Sequence, residues 1–130
     1  ASSLALGADF AYMGTRFIAT KEANADEGYK QMLIDSAADD IVYSSLFTGV
    51  SGNYLKPSIK NAGLDPDNLP EADKSSMNFG SGGNTDAKAW KDIWGSGQGI
   101  GGIKDDPSVE DLVTRLKEEY NKAKVEFNEK

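Results

Sequence analysis

The last part of the chain carries apolar residues at the spacing of one helical face, and no other feature of the sequence constrains the fold as strongly. The stripe consists of Val109, Leu112, Val113, Leu116, Tyr120, Ala123 and Phe127. Residues three or four apart lie on the same side of an α-helix, so the stripe predicts a helix over about residues 108–126 whose apolar side faces a core. Asp106 is suited to the N-cap and Pro107 to the first helical position.

The beginning of the chain has the pattern of a βα-repeat. Residues 2–8 are typical of a helix end that Gly7 closes, and residues 10–13 of a short buried strand that stops at Gly14 and Thr15. Strands of a βα-repeat run parallel and are covered by helices. The chain opens inside the first of these helices without an N-cap, which is unusual for a natural domain.

The middle of the chain predicts several further segments. The first is an amphipathic helix over residues 23–37, with Tyr29, Met32, Leu33 and Ser36 near one face. A strand over residues 40–47 follows, then a turn at Gly49 and Gly52 into residues 53–56, and a short helix over residues 58–62 that Pro57 opens. The remaining segments are an irregular loop over residues 63–86, a short helix over residues 87–94 and a glycine-dense stretch over residues 95–102. Loops as long as the one over residues 63–86 are usually functional or disordered.

Composition excludes several classes of function. The net charge of −7 argues against a nucleic-acid partner, because phosphate binding needs clustered Lys and Arg. No apolar run approaches the roughly 18 residues that a membrane span requires. The chain has no cysteine, which by default suggests the cytoplasm. It also has no histidine, so the commonest general base and the commonest zinc ligand are absent.

Met13, Gly14 and Thr15 form the first candidate binding motif. A glycine lets the backbone approach a ligand closely, and the following N–H and hydroxyl can donate to a phosphate. In a (β/α)8 barrel the phosphate site lies in the loops after the seventh and eighth strands. A simple tight turn is the alternative interpretation of the same three residues.

The wider run around this motif resembles the nitronate monooxygenase family at its last barrel strand. The run is Ala-Leu-Gly-Ala-Asp-Phe-Ala-Tyr-Met-Gly-Thr-Arg-Phe-Ile-Ala-Thr-Lys-Glu-Ala, residues 5–23. Three later stretches are also similar to the family: Phe-Thr-Gly-Val at 47–50, Gly-Asn-Tyr-Leu-Lys-Pro-Ser-Ile at 52–59, and Trp-Gly-Ser-Gly-Gln-Gly-Ile-Gly at 94–101. The resemblance therefore covers nearly the whole chain at intervals.

This resemblance implies a fold and a domain division. The family is built on an FMN-binding (β/α)8 barrel with a smaller helical second domain that follows the last strand. We therefore expect an α+β chain, mostly helical, in which residues 1–20 are the last helix end and last strand of the barrel and residues 21–130 the second domain. A whole barrel needs about 200–250 residues, so most of it would lie outside this chain.

The resemblance also implies site residues and partners. Gly14 and Thr15, with Met13 beside them, would hold part of the FMN phosphate. Ser96 and Gln98 would lie near flavin and substrate, although a flexible glycine turn is an equal alternative. A second phosphate loop and the catalytic histidine would lie upstream of Ala1, so we assign no catalytic residue here. The expected partners are a small-molecule substrate and either the missing barrel segment or a second copy of the chain.

Three functions compete at this point. The first is oxidation of nitronates with O2 by an FMN enzyme, and the second is the related FMN-dependent enoyl-thioester reduction. The third is a truncated, non-catalytic fragment. Among other polar and aromatic residues, Arg16 is expected to pair with a barrel carboxylate rather than with phosphate. Packing or surface positions are expected for Tyr54, Lys56, Trp90 and Trp94.

Overall fold

A computed structural model of the chain describes residues 1–69 and 92–129. Within these ranges the fold is α+β, with more helix than strand. The elements are α1 (Ser2–Ala5), α2 (Thr15–Ile18), α3 (Glu27–Asp35), β1 (Ile41–Ser44), β2 (Gly52–Leu55), α4 (Lys56–Asn61) and α5 (Val109–Asn128), with short 3-10 helices at Ala38–Asp40 and Gln98–Gly102. The predicted helix over residues 87–94 and most of the predicted loop over residues 63–86 lie outside the described residues.

The amphipathic helix α3 is confirmed, but it is shorter than the sequence pattern predicts. It begins after Asp26, whose carboxylate accepts a 2.8 Å hydrogen bond from the Gly28 N–H and so caps the helix. Residues 23–25 therefore stay outside it. Leu33 is buried on its inner side, as the pattern predicts, and Ser36 is buried directly after its last residue.

The sheet of the described residues is an antiparallel hairpin. β1 pairs with β2 in a register that places Ile41 opposite Leu55 and Ser44 opposite Gly52. The predicted strand over residues 40–47 is thus shorter than expected. The parallel arrangement expected from the βα pattern does not occur among the described residues, since the two strands that pair are joined by a short turn.

The buried strand predicted over residues 10–13 is wrong in the described structure. Phe10 is 89% exposed and Tyr12 100%, and these residues form no strand. A strand needs a neighbour to take up its backbone hydrogen bonds, and no described residue pairs with this segment. The division of the chain into a barrel part, 1–20, and a second domain, 21–130, remains a prediction.

The core joins parts of the chain that are far apart in sequence. Its buried cluster consists of Ala19, Leu33, Leu55, Ile100 and Ile103. Ile100 lies on the 3-10 helix Gln98–Gly102, so the glycine-dense stretch supplies core residues and is not merely a flexible linker. This arrangement holds residues 95–103 against α3 and β2.

The long helix α5 is confirmed, but its predicted start and its predicted burial are partly wrong. Ser108, not Asp106, is the N-cap: its hydroxyl accepts from the Asp111 N–H at 3.1 Å. Leu112 is 1% exposed, whereas Tyr120 is 36% and Phe127 76% exposed, so only the first half of the stripe packs on the described core. No described helix is both long and apolar enough to cross a membrane.

We expect Ser108→Ala to lower the free energy of unfolding by about 1 kcal/mol, the usual loss for an N-cap. Asp106→Ala is the matched control and should change it little, because Asp106 is exposed and precedes the cap. Urea unfolding of the two variants measures the difference. An equal or larger loss for Asp106→Ala would contradict this assignment of the helix start.

Candidate functional site

A hydrogen bond joins the two motifs that the sequence analysis assigned to a flavin site. The Gly97 N–H donates to Thr15 Oγ1 at 2.9 Å, across 82 positions of sequence. Thr15 belongs to the motif Met13-Gly14-Thr15, and Gly97 lies between Ser96 and Gln98. The structure therefore brings the backbone of both motifs together.

The Thr15 hydroxyl keeps donor capacity after this contact. Because its oxygen accepts from Gly97, its own hydrogen can still donate to another group. Thr15 also begins the short helix α2, and the N–H groups of Thr15 and Arg16 precede its first hydrogen bond, which the Phe17 N–H makes to the Gly14 carbonyl at 2.9 Å. A hydroxyl next to backbone N–H donors matches the chemistry of a phosphate site.

Gly14 has room around it that a side chain or a ligand could fill. Its φ of −107° is accessible to any residue, so the backbone does not require glycine here. A Cβ built on Gly14 meets no atom within 4 Å. Met13 beside it is 44% exposed. This open surface fits a phosphate group lying against the backbone.

Ser96 and Gln98 are placed differently from each other. Ser96 is 7% exposed, and its hydroxyl donates to the Gly97 carbonyl at 3.1 Å. Its N–H donates to the Asn53 carbonyl at 3.1 Å, which ties this segment to β2. Gln98 is exposed at the start of its 3-10 helix. Proximity of these two side chains to flavin remains a prediction.

Arg16 pairs with a carboxylate, that of Asp105, which lies in the segment predicted to be the second domain rather than the barrel. Its guanidinium donates to Asp105 Oδ1 at 3.0 Å and to the carbonyls of Ala19 and Asp105 at 3.1 and 3.2 Å. Asp105 precedes α5, and only 14% of the Arg16 side chain is exposed. The Arg16 side chain therefore links Ala19 to Asp105 by hydrogen bonds, and in this arrangement it is not available to a phosphate.

Asp105 is held by a second arginine as well. Arg115 on α5 donates to both of its carboxylate oxygens, at 2.9 and 2.8 Å. The hydrogen bond from Arg115 is the main cause that lowers the pKa of Asp105, and the charges of Arg115 and Arg16 lower it further. The Asp105 side chain is 45% exposed, so solvent moderates these interactions.

An aromatic pocket, which the sequence analysis missed, lies beside this site. It is a cavity of about 360 Å³ lined by Tyr29, Phe47, Thr48, Tyr54, Ile93, Trp94 and Gly95. Tyr29 stacks on Trp94 with ring centroids 5.1 Å apart, and Phe47 meets Tyr54 edge to face at 4.8 Å. The Tyr29 hydroxyl donates to the Gly95 carbonyl, and burial raises the pKa of Tyr29.

Tyr54 and Trp94 were expected to be packing or surface residues, and both line this pocket. Lys56 was expected at a packing or surface position as well, and its ammonium group pairs with the carboxylate of the exposed Asp67 at 3.0 Å. Trp90 lies outside the described residues. No spacing in the sequence indicates the pocket, because its aromatic residues come from α3, the hairpin and the segment before Gly95.

Comparison with known proteins identifies the class to which this fold and site belong. Residues 1–119 match the sequence model of the family described as nitronate monooxygenase. This family consists of flavin-dependent oxidoreductases. The chain belongs to the nitronate monooxygenase family.

Individual proteins of known sequence or structure resemble parts or all of the chain. A nitronate monooxygenase from Paraburkholderia phytofirmans is 36% identical over 66 residues, which are 51% of this chain and 18% of that protein. The structure of a FabK M276A mutant from Thermotoga maritima matches 98% of this chain and 38% of that chain, with a TM-score of 0.66 and 18% identity. The second likeness is one of fold. This chain thus corresponds to less than half the length of either protein.

Proposed function

We propose that this chain is the C-terminal portion of an FMN-dependent enzyme that oxidises nitronates with O2, and that Gly14 and Thr15 form part of its phosphate site. The observation that carries the proposal is the hydrogen bond from Gly97 to Thr15. It joins two segments that resemble separate flavin-site motifs of the family to which the chain belongs.

The residues of this chain would bind and orient the cofactor. The Thr15 hydroxyl and the first N–H groups of α2 would donate to the phosphate, and Gly14 would let it approach the backbone. When bound, FMN supplies the redox chemistry, as cofactors do in such enzymes. The resemblance to the family implies that the histidine that takes the substrate proton lies in the barrel portion, and this chain contains no histidine.

The barrel portion is also the proposed partner of an exposed apolar surface. Leu6, Phe10 and Tyr12 are 90%, 89% and 100% exposed. Large apolar side chains that are exposed so close together in sequence support a contact surface here. A barrel that contributes the other half of the phosphate site would cover them, whereas the chain alone would bind FMN weakly.

The test uses a protein that carries this chain together with the barrel portion found in its relatives. We expect it to purify with about one FMN per chain, and ethyl nitronate to cause O2 uptake. The chain alone is the control and should hold no stoichiometric flavin. Oxidation of NADH by an enoyl thioester, without nitronate-dependent O2 uptake, would instead support the enoyl-thioester reductase. A flavin-free longer protein would contradict both enzymatic proposals.

A further inference from the structure

We propose that the aromatic pocket binds a neutral, planar aromatic group of a small molecule. This inference rests on the proposed function in one respect: in a nitronate-oxidising enzyme, that group would be the hydrocarbon part of the substrate. Whether the pocket binds such a group can be tested without flavin.

The walls of the pocket are aromatic rings that hold one another in place. The stacked pair Tyr29–Trp94 and the edge-to-face pair Phe47–Tyr54 both border the cavity. Trp94 packs on α3 at Gly28, where a Cβ would lie at ordinary contact distance, 3.4 Å, from Trp94 Cη2. Fixed rings offer flat surfaces, which suit stacking or edge contact with another ring.

The hydroxyl groups that line the pocket have already donated their hydrogens to neighbouring protein atoms. Tyr29 donates its hydroxyl hydrogen to the Gly95 carbonyl. Thr48 donates to the Val50 carbonyl at 2.8 Å, so in its 3.3 Å contact with Tyr54 the tyrosine is the donor. None of the lining residues carries a charge. An anion in this half-open pocket would find no cationic side chain and no free hydroxyl hydrogen among the lining residues.

The charged end of a nitronate therefore does not belong in the pocket, whereas an uncharged ring does. The volume of about 360 Å³ is more than twice that of the roughly 150 Å³ cavity that accommodates benzene. Two fused rings, or one ring with a short alkyl linker, suit this size. A hydroxyl on such a ring could donate to a tyrosine oxygen.

The pocket is continuous with the candidate cofactor segment. Trp94 and Gly95 line it, and Gly97, two residues later, contacts Thr15. Hydrogen bonds from the Leu55 N–H to the Trp94 carbonyl at 2.8 Å, and from the Ser96 N–H to the Asn53 carbonyl at 3.1 Å, hold this run along β2. A group bound in the pocket would thus lie beside the segment that we assign to the flavin.

Calorimetric titration of this chain with 2-naphthol and with 2-naphthoate tests the inference. These probes share two fused rings and differ in charge at neutral pH. We expect 2-naphthol to bind at least ten times more tightly than 2-naphthoate. Phe47→Ala should weaken 2-naphthol binding at least fivefold, while Tyr43→Ala, which removes an exposed aromatic ring outside the pocket, should leave it unchanged.

Equal affinity for the two probes, or no binding of 2-naphthol to the folded chain, would overturn the inference. So would a Phe47→Ala variant that keeps its melting temperature and binds 2-naphthol as tightly as the unmodified chain does.

A second measurement, on the flavin-loaded longer protein, links the pocket to the substrate. We expect Phe47→Ala to lower the ratio of kcat/KM for the phenylnitromethane anion over ethyl nitronate at least fivefold, and Tyr43→Ala to leave the ratio unchanged. An unchanged ratio in Phe47→Ala would contradict the substrate assignment. If 2-naphthol binds but no nitronate is oxidised, the proposed function is wrong and the assignment of the pocket as an aromatic binding site is retained. If nitronate is oxidised but 2-naphthol does not bind, the proposed function is retained and the assignment of the pocket is wrong.

Discussion

Gly14→Val is expected to weaken FMN binding by about 2–3 kcal/mol, or roughly 30- to 150-fold, in the protein that includes the barrel portion. A side chain at this position would occupy the open surface where we place the phosphate. It should not disturb the apoprotein, because the φ of −107° suits any residue and a Cβ meets no atom within 4 Å. Fluorescence titration with FMN and thermal unfolding of the apoprotein measure the two quantities.

Two controls separate ligand effects from folding effects. Gly7 has a φ of +92°, so Gly7→Val should strain the backbone and lower the melting temperature without a specific effect on FMN. Thr15→Ala should weaken FMN binding less than Gly14→Val, since the backbone N–H of Thr15 remains, but it also removes the acceptor for Gly97. A Gly14→Val variant that unfolds the apoprotein and keeps its affinity for FMN would show that Gly14 serves only as a turn.

Asp105→Asn is expected to destabilise the fold by about 1–2 kcal/mol at neutral pH. The substitution removes the carboxylate that accepts from Arg16 and Arg115, and Arg16 is largely buried. Hydrogen bonds to charged groups contribute about 1.5–3 kcal/mol, which we reduce because Asp105 is partly exposed. Urea unfolding at pH 7 measures the loss. Asp106→Asn is the control at the neighbouring exposed carboxylate and should change little.

The effect of Asp105 should depend on pH in a defined direction. Its pKa is lowered in the folded chain, so its contribution is present above the unfolded pKa, near 3.8, and is lost as the pH falls through the lower folded value. The difference in unfolding free energy between the unmodified chain and Asp105→Asn should therefore shrink as the pH falls from 5 to below 3.8. A difference that stays constant over this range would contradict the ion-pair account.

Local sequence patterns predicted the helices best. Leu33 and Ser36 recur at helical spacing, and both are buried, Leu33 within α3 and Ser36 directly after its end. The predicted N-cap of α5 was wrong because two capping residues compete in one short stretch, and Ser108 rather than Asp106 takes the cap. The outer half of the α5 stripe was expected to be buried, but spacing indicates a face and not what covers it. Phe127 is exposed for that reason.

The candidate site was predicted only in part. The resemblance to a family indicated Gly14, Thr15 and the segment from Ser96 to Gln98, but not that Thr15 and Gly97 would touch. Contacts between residues so distant in sequence depend on how the core assembles, which no local pattern encodes. The same holds for the aromatic pocket, where Tyr29 meets a carbonyl 66 positions away.

Comparison of FMN with riboflavin tests the central claim most directly. Riboflavin has the same ring system and lacks the phosphate that we place at Gly14 and Thr15. In the protein that includes the barrel portion, we predict a clear preference for FMN, most of which Gly14→Val removes while riboflavin affinity stays the same. If Gly14→Val weakens both flavins equally, the phosphate does not lie against this loop and the assignment is wrong.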